Sequence, residues 1–385
     1  MGSEVRAYLR FHLASGVGPV LFRRMVEAFG DVETTAQAGP RQWARVEGMG
    51  PKRAEAISEV SETRIDEELA AAEAASVRIL CWSDPGYPDA LKTIYDHPPV
   101  VYVRGQLDKA DAVAMGIVGS RRCSHYGLEQ SGRFAQLLAR AGFTVVSGGA
   151  RGIDSAAHRG ALAAGGRTVM VAGCGLDTIY PPENAELFEQ IVESGQGVLL
   201  SELPMGTGVK SENFPKRNRI ISAMSLGLLV IEAAPKSGAL ISARFAAEQN
   251  RTVFAVPGRV DSPASRGTNQ LIREGAILVQ NLDDILEDLG QVGQEMTPEP
   301  EEVRTPAVRP SLTESESRII QQMPSEAIGL DDLVRRTGLS SAEVTSVLTL
   351  LVLKGVVEQR PGNMFIRKAW VGQMKSTERL PFGEQ

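Results

Sequence analysis

The run Gly116-Ile117-Val118-Gly119-Ser120-Arg121-Arg122 joins an apolar segment to a Gly-Ser-Arg turn, and Ser124, Tyr126 and Gly127 open the next segment. This is the pattern of a parallel strand that delivers its carboxyl end to a helix start. Backbone amides exposed at such a junction favour an anion. Ser120 adds a hydroxyl donor, and Arg121 adds a two-pronged guanidinium suited to phosphate oxygens. The glycine spacing is not G-x-G-x-x-G, so a dinucleotide is not implied.

The same arrangement recurs along the chain. Val146-Ser147-Gly148-Gly149-Ala150-Arg151-Gly152-Ile153-Asp154 again ends a strand in glycines and sets Arg151 where a phosphate would lie. Asp154 and His158 stand one helical turn apart, as an acid/base pair would. A helix-start carboxylate and a satisfied core histidine are the favoured reading. Gly173-Cys174-Gly175-Leu176-Asp177 leads to Tyr180-Pro181-Pro182-Glu183-Asn184, a turn before a proline-started helix. The segment Val209 to Arg219 has four basic residues, Lys210, Lys216, Arg217 and Arg219, against Glu212, a net of +3. Phe214 in that segment is available to stack on a base. Lys236 to Arg244 is a further glycine turn into a helix. Val256-Pro257-Gly258 and Ser265-Arg266-Gly267-Thr268-Asn269 complete the series.

Several chemistries are excluded. The three cysteines (Cys81, Cys123, Cys174) and four histidines (His12, His97, His125, His158) are scattered, without the spacing of a zinc site or a disulfide framework. No metal or cofactor is expected. The N-terminus lacks a signal-peptide pattern. The longest apolar stretch, Ala223 to Ala234, is too short to span a membrane. A cytoplasmic protein is expected. The net charge of −6 argues against an overall basic coat, yet leaves room for a local basic groove.

These turns need an α/β scaffold. Strands are expected at Arg78–Trp82, Val100–Arg104, Ala112–Val118, Thr144–Ser147, Arg167–Val171, Gly197–Ser201, Gly227–Glu232, Thr252–Ala255 and Ile277–Leu278. Several are continuously apolar, which implies burial on both faces of a parallel sheet. Helices are expected at Tyr126–Ala141, Gly152–Ala164, Glu183–Glu193, Arg217–Ala223, Ser242–Gln249 and Gly267–Glu274. The reading is a doubly wound, extended Rossmann-like domain over residues 76–290.

Residues 1–75 read as a helical domain of helix-hairpin-helix type. Gly16-Val17-Gly18-Pro19 and Gly48-Met49-Gly50-Pro51 are its two hairpins, with Lys52 and Arg53 after the second. Nine basic residues face twelve acidic ones there, so a plain helical cap is the favoured role over direct DNA contact. Residues 291–311 read as a linker rich in glutamate and proline. Residues 312–368 show three helices and a hairpin, the order of a winged helix, and 369–385 read as a tail.

Together, GSR, SGGARGID, GLDTIYPPEN, NFPKRNRIIS, SGALISA, FAVPG and SRGTNQLI, with Gly275-Ala276, make the chain resemble the DprA/Smf family of bacterial DNA-processing proteins. The resemblance covers about Pro85 to Leu282. It implies binding of single-stranded DNA, a homodimer through the Rossmann-like domain, protection of incoming DNA, and loading of the recombinase RecA in natural transformation. Carried over by motif, Ser120, Arg121, Gly149, Arg151, Lys216, Arg217 and Asn218 would line the DNA pocket. Gly119, Arg122, Phe214, Arg219, Lys236 and Arg244 are further candidates.

Two rivals remain. Phosphoribohydrolases of the wider superfamily use a P-G-G-x-G-T-x-x-E loop with a catalytic glutamate. The comparable loop here lacks the Gly-Thr pair and has Arg244 about where the glutamate would fall, so no catalysis is expected. A winged-helix regulator is the other. Residues 312–368 hold seven basic and seven acidic residues, and Ser340 to Gly355 offers only Lys354 and Glu343 as charges, too few for strong phosphate contact.

Overall fold

The computed structural model describes residues 2–290, 312–324, 326–354, 356–360 and 364–367. The expected linker at 291–311, the turn at 361–363 and the tail at 369–385 lie outside them. The chain divides into two units, residues 1–299 and 300–385.

The first unit begins with six helices: α1 (Ser3–His12), α2 (Pro19–Phe29), α3 (Val32–Gln37), α4 (Pro40–Trp43), α5 (Gly50–Ser58) and α6 (Glu62–Ala74). There follow β1 (Val77–Cys81), α7 (Asp89–Lys92), β2 (Val100–Gly105), β3 (Ala114–Val118), α8 (His125–Arg140), β4 (Thr144–Ser147), α9 (Ile153–Ala163) and β5 (Thr168–Val171). Then come α10 (Ala185–Glu193), β6 (Gly197–Ser201), α11 (Asn213–Ala223), β7 (Gly227–Val230), α12 (Gly238–Glu248), β8 (Thr252–Ala255), α13 (Arg266–Arg273), β9 (Ile277–Leu278) and α14 (Asp283–Asp288).

Among the described residues these strands form one sheet in the order β1-β2-β6-β5-β4-β3-β7-β8-β9. Strands β3 to β9 pair in parallel. Two antiparallel edge strands, β2 and β1, extend the sheet beyond β6. All residues of β3, β4, β5, β6 and β7 are buried, because helices cover both faces. Strand β1 alternates instead, as an edge strand should.

The chain steps from β3 through β4 and β5 to β6, then crosses back to place β7 on the other side of β3. The crevice at the carboxyl ends of β3 and β7 is therefore the topological switch point, where ligands of doubly wound sheets bind.

The N-terminal helices are part of this unit. Tyr8 and Phe22 pack their rings against Trp82, at 5.9 and 5.0 Å between centroids, and His12 lies against Tyr102. Tyr8, Phe11, Phe22 and Trp43 join one core with Val77, Ile79, Val100 and Tyr102 of β1 and β2. Among the described residues, no helix is long and apolar enough to cross a membrane.

The second unit has α15 (Glu314–Gln322), β10 (Ile328–Gly329), α16 (Leu330–Thr337), α17 (Ser341–Leu353), β11 (Val357–Arg360) and β12 (Met364–Arg367). The strand order is β10-β12-β11, a winged helix. The short β10 was not foreseen. Capping boxes start α15 at Thr313 with Glu316 and α17 at Ser340 with Glu343. Lys354 reaches the buried Glu316 at 2.7 Å.

Candidate nucleic-acid interface

A cleft of about 730 Å³ opens at the switch point. One wall is the turn after β3, Gly119 to Arg122. The opposite wall is the loop after β7 and the first turns of α12, Lys236 to Ser242. Helix α11 closes one side with Phe214, Arg217 and Asn218.

The turn after β3 is fixed by backbone and side chain. Ser120 N–H donates to the Glu232 carbonyl at 2.8 Å, tying the end of β3 to that of β7. Ser120 Oγ accepts from Arg122 N–H at 3.1 Å, which leaves its own proton for an anion. Arg121 and Arg122 are exposed. The Arg121 guanidinium stands 5.3 Å from the centre of the Phe214 ring.

Glu232 is the anchor of the site. It is buried, and its carboxylate accepts from Ser124 N–H at 2.8 Å and Ser124 Oγ at 2.5 Å. Ser124 in turn caps α8, its Oγ accepting from Gly127 N–H. A buried carboxylate satisfied in this way orients a helix start toward the cleft. Sequence reasoning ended β7 at Glu232 and missed this role. The signal available was an acid closing an apolar run.

Arg217 is buried beneath the cleft rather than exposed in it. Its Nη1 donates to the Gly148 carbonyl at 2.7 Å and to the Val171 carbonyl. It thus joins α11 to the ends of β4 and β5. Burial pushes its pKa down to about 10, against the pull of Asp154. Burial also pushes Asp154 up to about 6, with Arg217 opposing. Gly148 leaves room for this arginine, since a Cβ there would lie 2.6 Å from Nη2.

Asp154 is a helix-start carboxylate on α9 and accepts from Ala150 N–H at 3.3 Å. His158 is fully buried, with Nδ1 2.7 Å from Thr168 Oγ1, and burial lowers its pKa to about 3. Its Nε2 has no partner among the described residues, so only half of the satisfied-histidine reading holds.

The structure brings Gly119, Ser120, Arg121, Arg122, Phe214, Arg217, Asn218 and Lys236 to this cleft. Five other candidates lie elsewhere. Gly149 is buried, and a Cβ there would meet Met170 and Phe188. Arg151 lies in a different pocket and pairs with Glu183 at 2.7 Å. Lys216 and Arg219 face the opposite side of α11, where buried Arg219 pairs with Asp96 at 3.0 Å and with Glu202. Arg244 points outward from α12, 3.4 Å from Glu248. Sequence reasoning also missed Tyr180, whose ring lies 5.4 Å from that of Phe214.

The cleft lining holds Arg121, Arg122, Arg217 and Lys236 against Asp154, four cations to one acid. Arg121, Arg122 and Lys236 make no ion pair among the described residues. Helix α12 adds first-turn amides beside Ser237, whose Oγ accepts from Ala239 N–H. The arrangement is suited to anionic oxygens and supplies two aromatic rings, Phe214 and Tyr180. Among the described residues that line it, no nucleophile is paired with a base.

Residues 78–290 match the family model described as DNA recombination-mediator protein A, and residues 303–363 match the DprA winged helix domain. Protein Smf of Synechocystis is 36% identical over 95% of this chain and 99% of its own. Protein Smf of Escherichia coli is 39% identical over 72% of this chain and 74% of its own. The X-ray structure of DNA processing protein A from Streptococcus pneumoniae is similar with a TM-score of 0.66 and 32% identity, over 74% of this chain and 97% of that one. A DNA processing protein A from Helicobacter pylori, studied for its single-stranded DNA binding mode, is similar with a TM-score of 0.50 and 31% identity. That likeness covers 55% of this chain and 95% of the other.

Proposed function

The chain belongs to the DNA recombination-mediator protein A (DprA/Smf) family of DNA-processing proteins, and from that premise we propose that it binds single-stranded DNA in the switch-point cleft. The observation that carries this reading is the set of unpaired cations, Arg121, Arg122 and Lys236, around an aromatic ring at two strand ends. Cations neutralise successive phosphates, and a ring stacks on any base, so such a groove holds a strand without reading its sequence. Of the candidates, Gly119, Ser120, Arg121, Arg122, Phe214, Asn218 and Lys236 contact the strand. Arg217 shapes the floor.

The family also supports a wider role: a homodimer through residues 76–290 that shields incoming DNA and loads RecA in the cytoplasm. Helices 1–75 and the winged helix 312–368 flank that domain, the latter as a protein-binding or weak DNA-binding module. Catalysis is not part of the proposal. The loop that would carry the glutamate of a phosphoribohydrolase has Arg244 on the outer face of α12, and general acid/base chemistry needs a group at the reacting atom.

A binding titration with one sequence as single strand and as duplex tests the reading. The single strand is expected to bind more tightly, because the groove is a narrow cleft at strand ends. Equal or tighter binding of the duplex would overturn it.

A further inference from the structure

A second cleft, of about 720 Å³, lies on the other side of α11, between that helix and the two N-terminal hairpins. Its lining includes Gly16 to Leu21, Gly48 and Arg53 from the helical layer, and Lys216 and Arg219 from α11. The two clefts share α11 as a common wall. Phe214, Arg217, Asn218 and Ile221 follow the three-and-four spacing of one helix face and line the first cleft. Lys216 and Arg219 occupy the opposite face.

The charge of this second cleft differs from that of the segment that builds half of it. Residues 1–75 are net acidic, but Glu62 and Asp66 are engaged away from the cleft by Arg6 and Arg10. Among the lining residues, Arg24, Arg53, Lys216 and Arg219 face Asp96 and Glu202, four cations to two acids. Both acids are held by Arg219. Lys216 is exposed and makes no ion pair among the described residues.

Residues that line the cleft also carry unused donors. Arg219 is 6% exposed, and its Nη1 has no partner among the described residues. Helix α2 starts at Pro19 behind the N-cap Gly18, so its first-turn amides at Val20 and Leu21 have no acceptor within the helix. Gly16, at φ +78°, turns the chain into that start. A Cβ on Gly18 would meet nothing within 4 Å, so the hairpin edge is bare.

We propose that this second cleft binds the phosphodiester backbone of the same single strand where it leaves the first cleft across α11. Arg24 is 3.9 Å from Glu47 and Arg53 donates to the Gly48 carbonyl, which leaves Lys216 as the open cation; bare helix-start amides beside such a cation are phosphate ligands. Their place across a shared helix makes them a second grip rather than a separate site. The inference rests on the switch-point cleft being the primary strand site.

Two variants test it without disturbing the core. Lys216→Ala removes an exposed, unpaired cation. Gly18→Asp adds a carboxylate at a position with open space and ordinary backbone angles, φ −92° and ψ 173°. As an N-cap, that aspartate favours α2, so lost binding cannot be blamed on lost folding. Both are titrated with oligothymidylates of about 4 to 16 nucleotides, the range of single-strand groove sizes, with Arg121→Ala in parallel.

The shortest strands should bind both variants as they bind the wild type. The longest should lose roughly 3- to 10-fold, and their salt slope should fall by about 0.7 for each phosphate contact removed. Lys216→Arg should restore binding. Unchanged affinity at every length overturns the proposal, as does equal loss at the shortest length. A response of duplex alone also overturns it. If Arg121→Ala has no effect while Lys216→Ala weakens long strands, the primary site is misplaced and the second cleft is the stronger one. If only Arg121→Ala acts, the primary reading stands and this one fails.

Discussion

Arg121 and Arg217 flank the same ring, at 5.3 and 5.9 Å from its centre, yet do different work. Arg217 is buried and bonded to two strand-end carbonyls, whereas Arg121 is exposed and unpaired. Arg121 therefore offers open donors to a ligand, whereas those of Arg217 are buried beneath the cleft. The buried residues around Arg217 set a pH dependence. Burial holds His158 at about 3, below its unfolded value near 6.5. A histidine kept neutral in this way contributes stability in full above its unfolded pKa and loses it as pH falls toward the folded one. His12, lowered to about 4, acts in the same sense. Asp154 acts oppositely: raised to about 6, it favours the fold below its unfolded pKa and loses that contribution as pH rises through 6. His158→Gln is thus expected to flatten the fall in unfolding free energy between about pH 6 and 4 by about one proton, or 1.4 kcal/mol per pH unit. Urea denaturation at several pH values measures this. An unchanged slope would show that His158 is protonated in the fold.

At the scale of elements, the start of α8 depends on Glu232. A Cβ on Gly127 would lie 2.5 Å from Glu232 Oε2. Gly127→Ala should therefore cost about 1–3 kcal/mol through overpacking and should loosen the Arg121 turn. Gly132 sits on the same helix with no atom closer than 4.0 Å to such a Cβ. Gly132→Ala should be neutral or stabilising by up to about 1 kcal/mol. Equal behaviour of the two in chemical denaturation would contradict the role given to Glu232. Most strands were legible because burial on both faces leaves a continuous apolar run, as in Leu228 to Val230. Helix starts were less so. α11 begins at Asn213 and not at Arg217, because Pro215 looks like a breaker but is tolerated in a first turn, where no intrahelical N–H bond is needed. α12 begins at Gly238 and not at Ser242, because its cap is Ser237. The late start for α11 had a further consequence. It made Lys216, Arg217 and Arg219 look like one basic patch, whereas a helix turns about a hundred degrees per residue and sends them to different faces.

For the whole molecule, the winged helix carries no net charge over residues 312–368, and Glu343 is engaged in its own capping box. Deleting residues 300–385 should leave single-strand affinity within about threefold of the full chain, with an unchanged salt slope. A tenfold loss, about 1.4 kcal/mol, would assign the winged helix a direct share in the strand. In the proposed function, Arg121 at the switch point grips phosphate without reading sequence. That grip is tested most directly by titrating wild type and Arg121→Ala with single strands of different sequence across a range of salt. The variant should bind every sequence more weakly by a similar factor, with a salt slope smaller by about 0.7. Unchanged affinity, or a loss confined to particular sequences, would contradict the account.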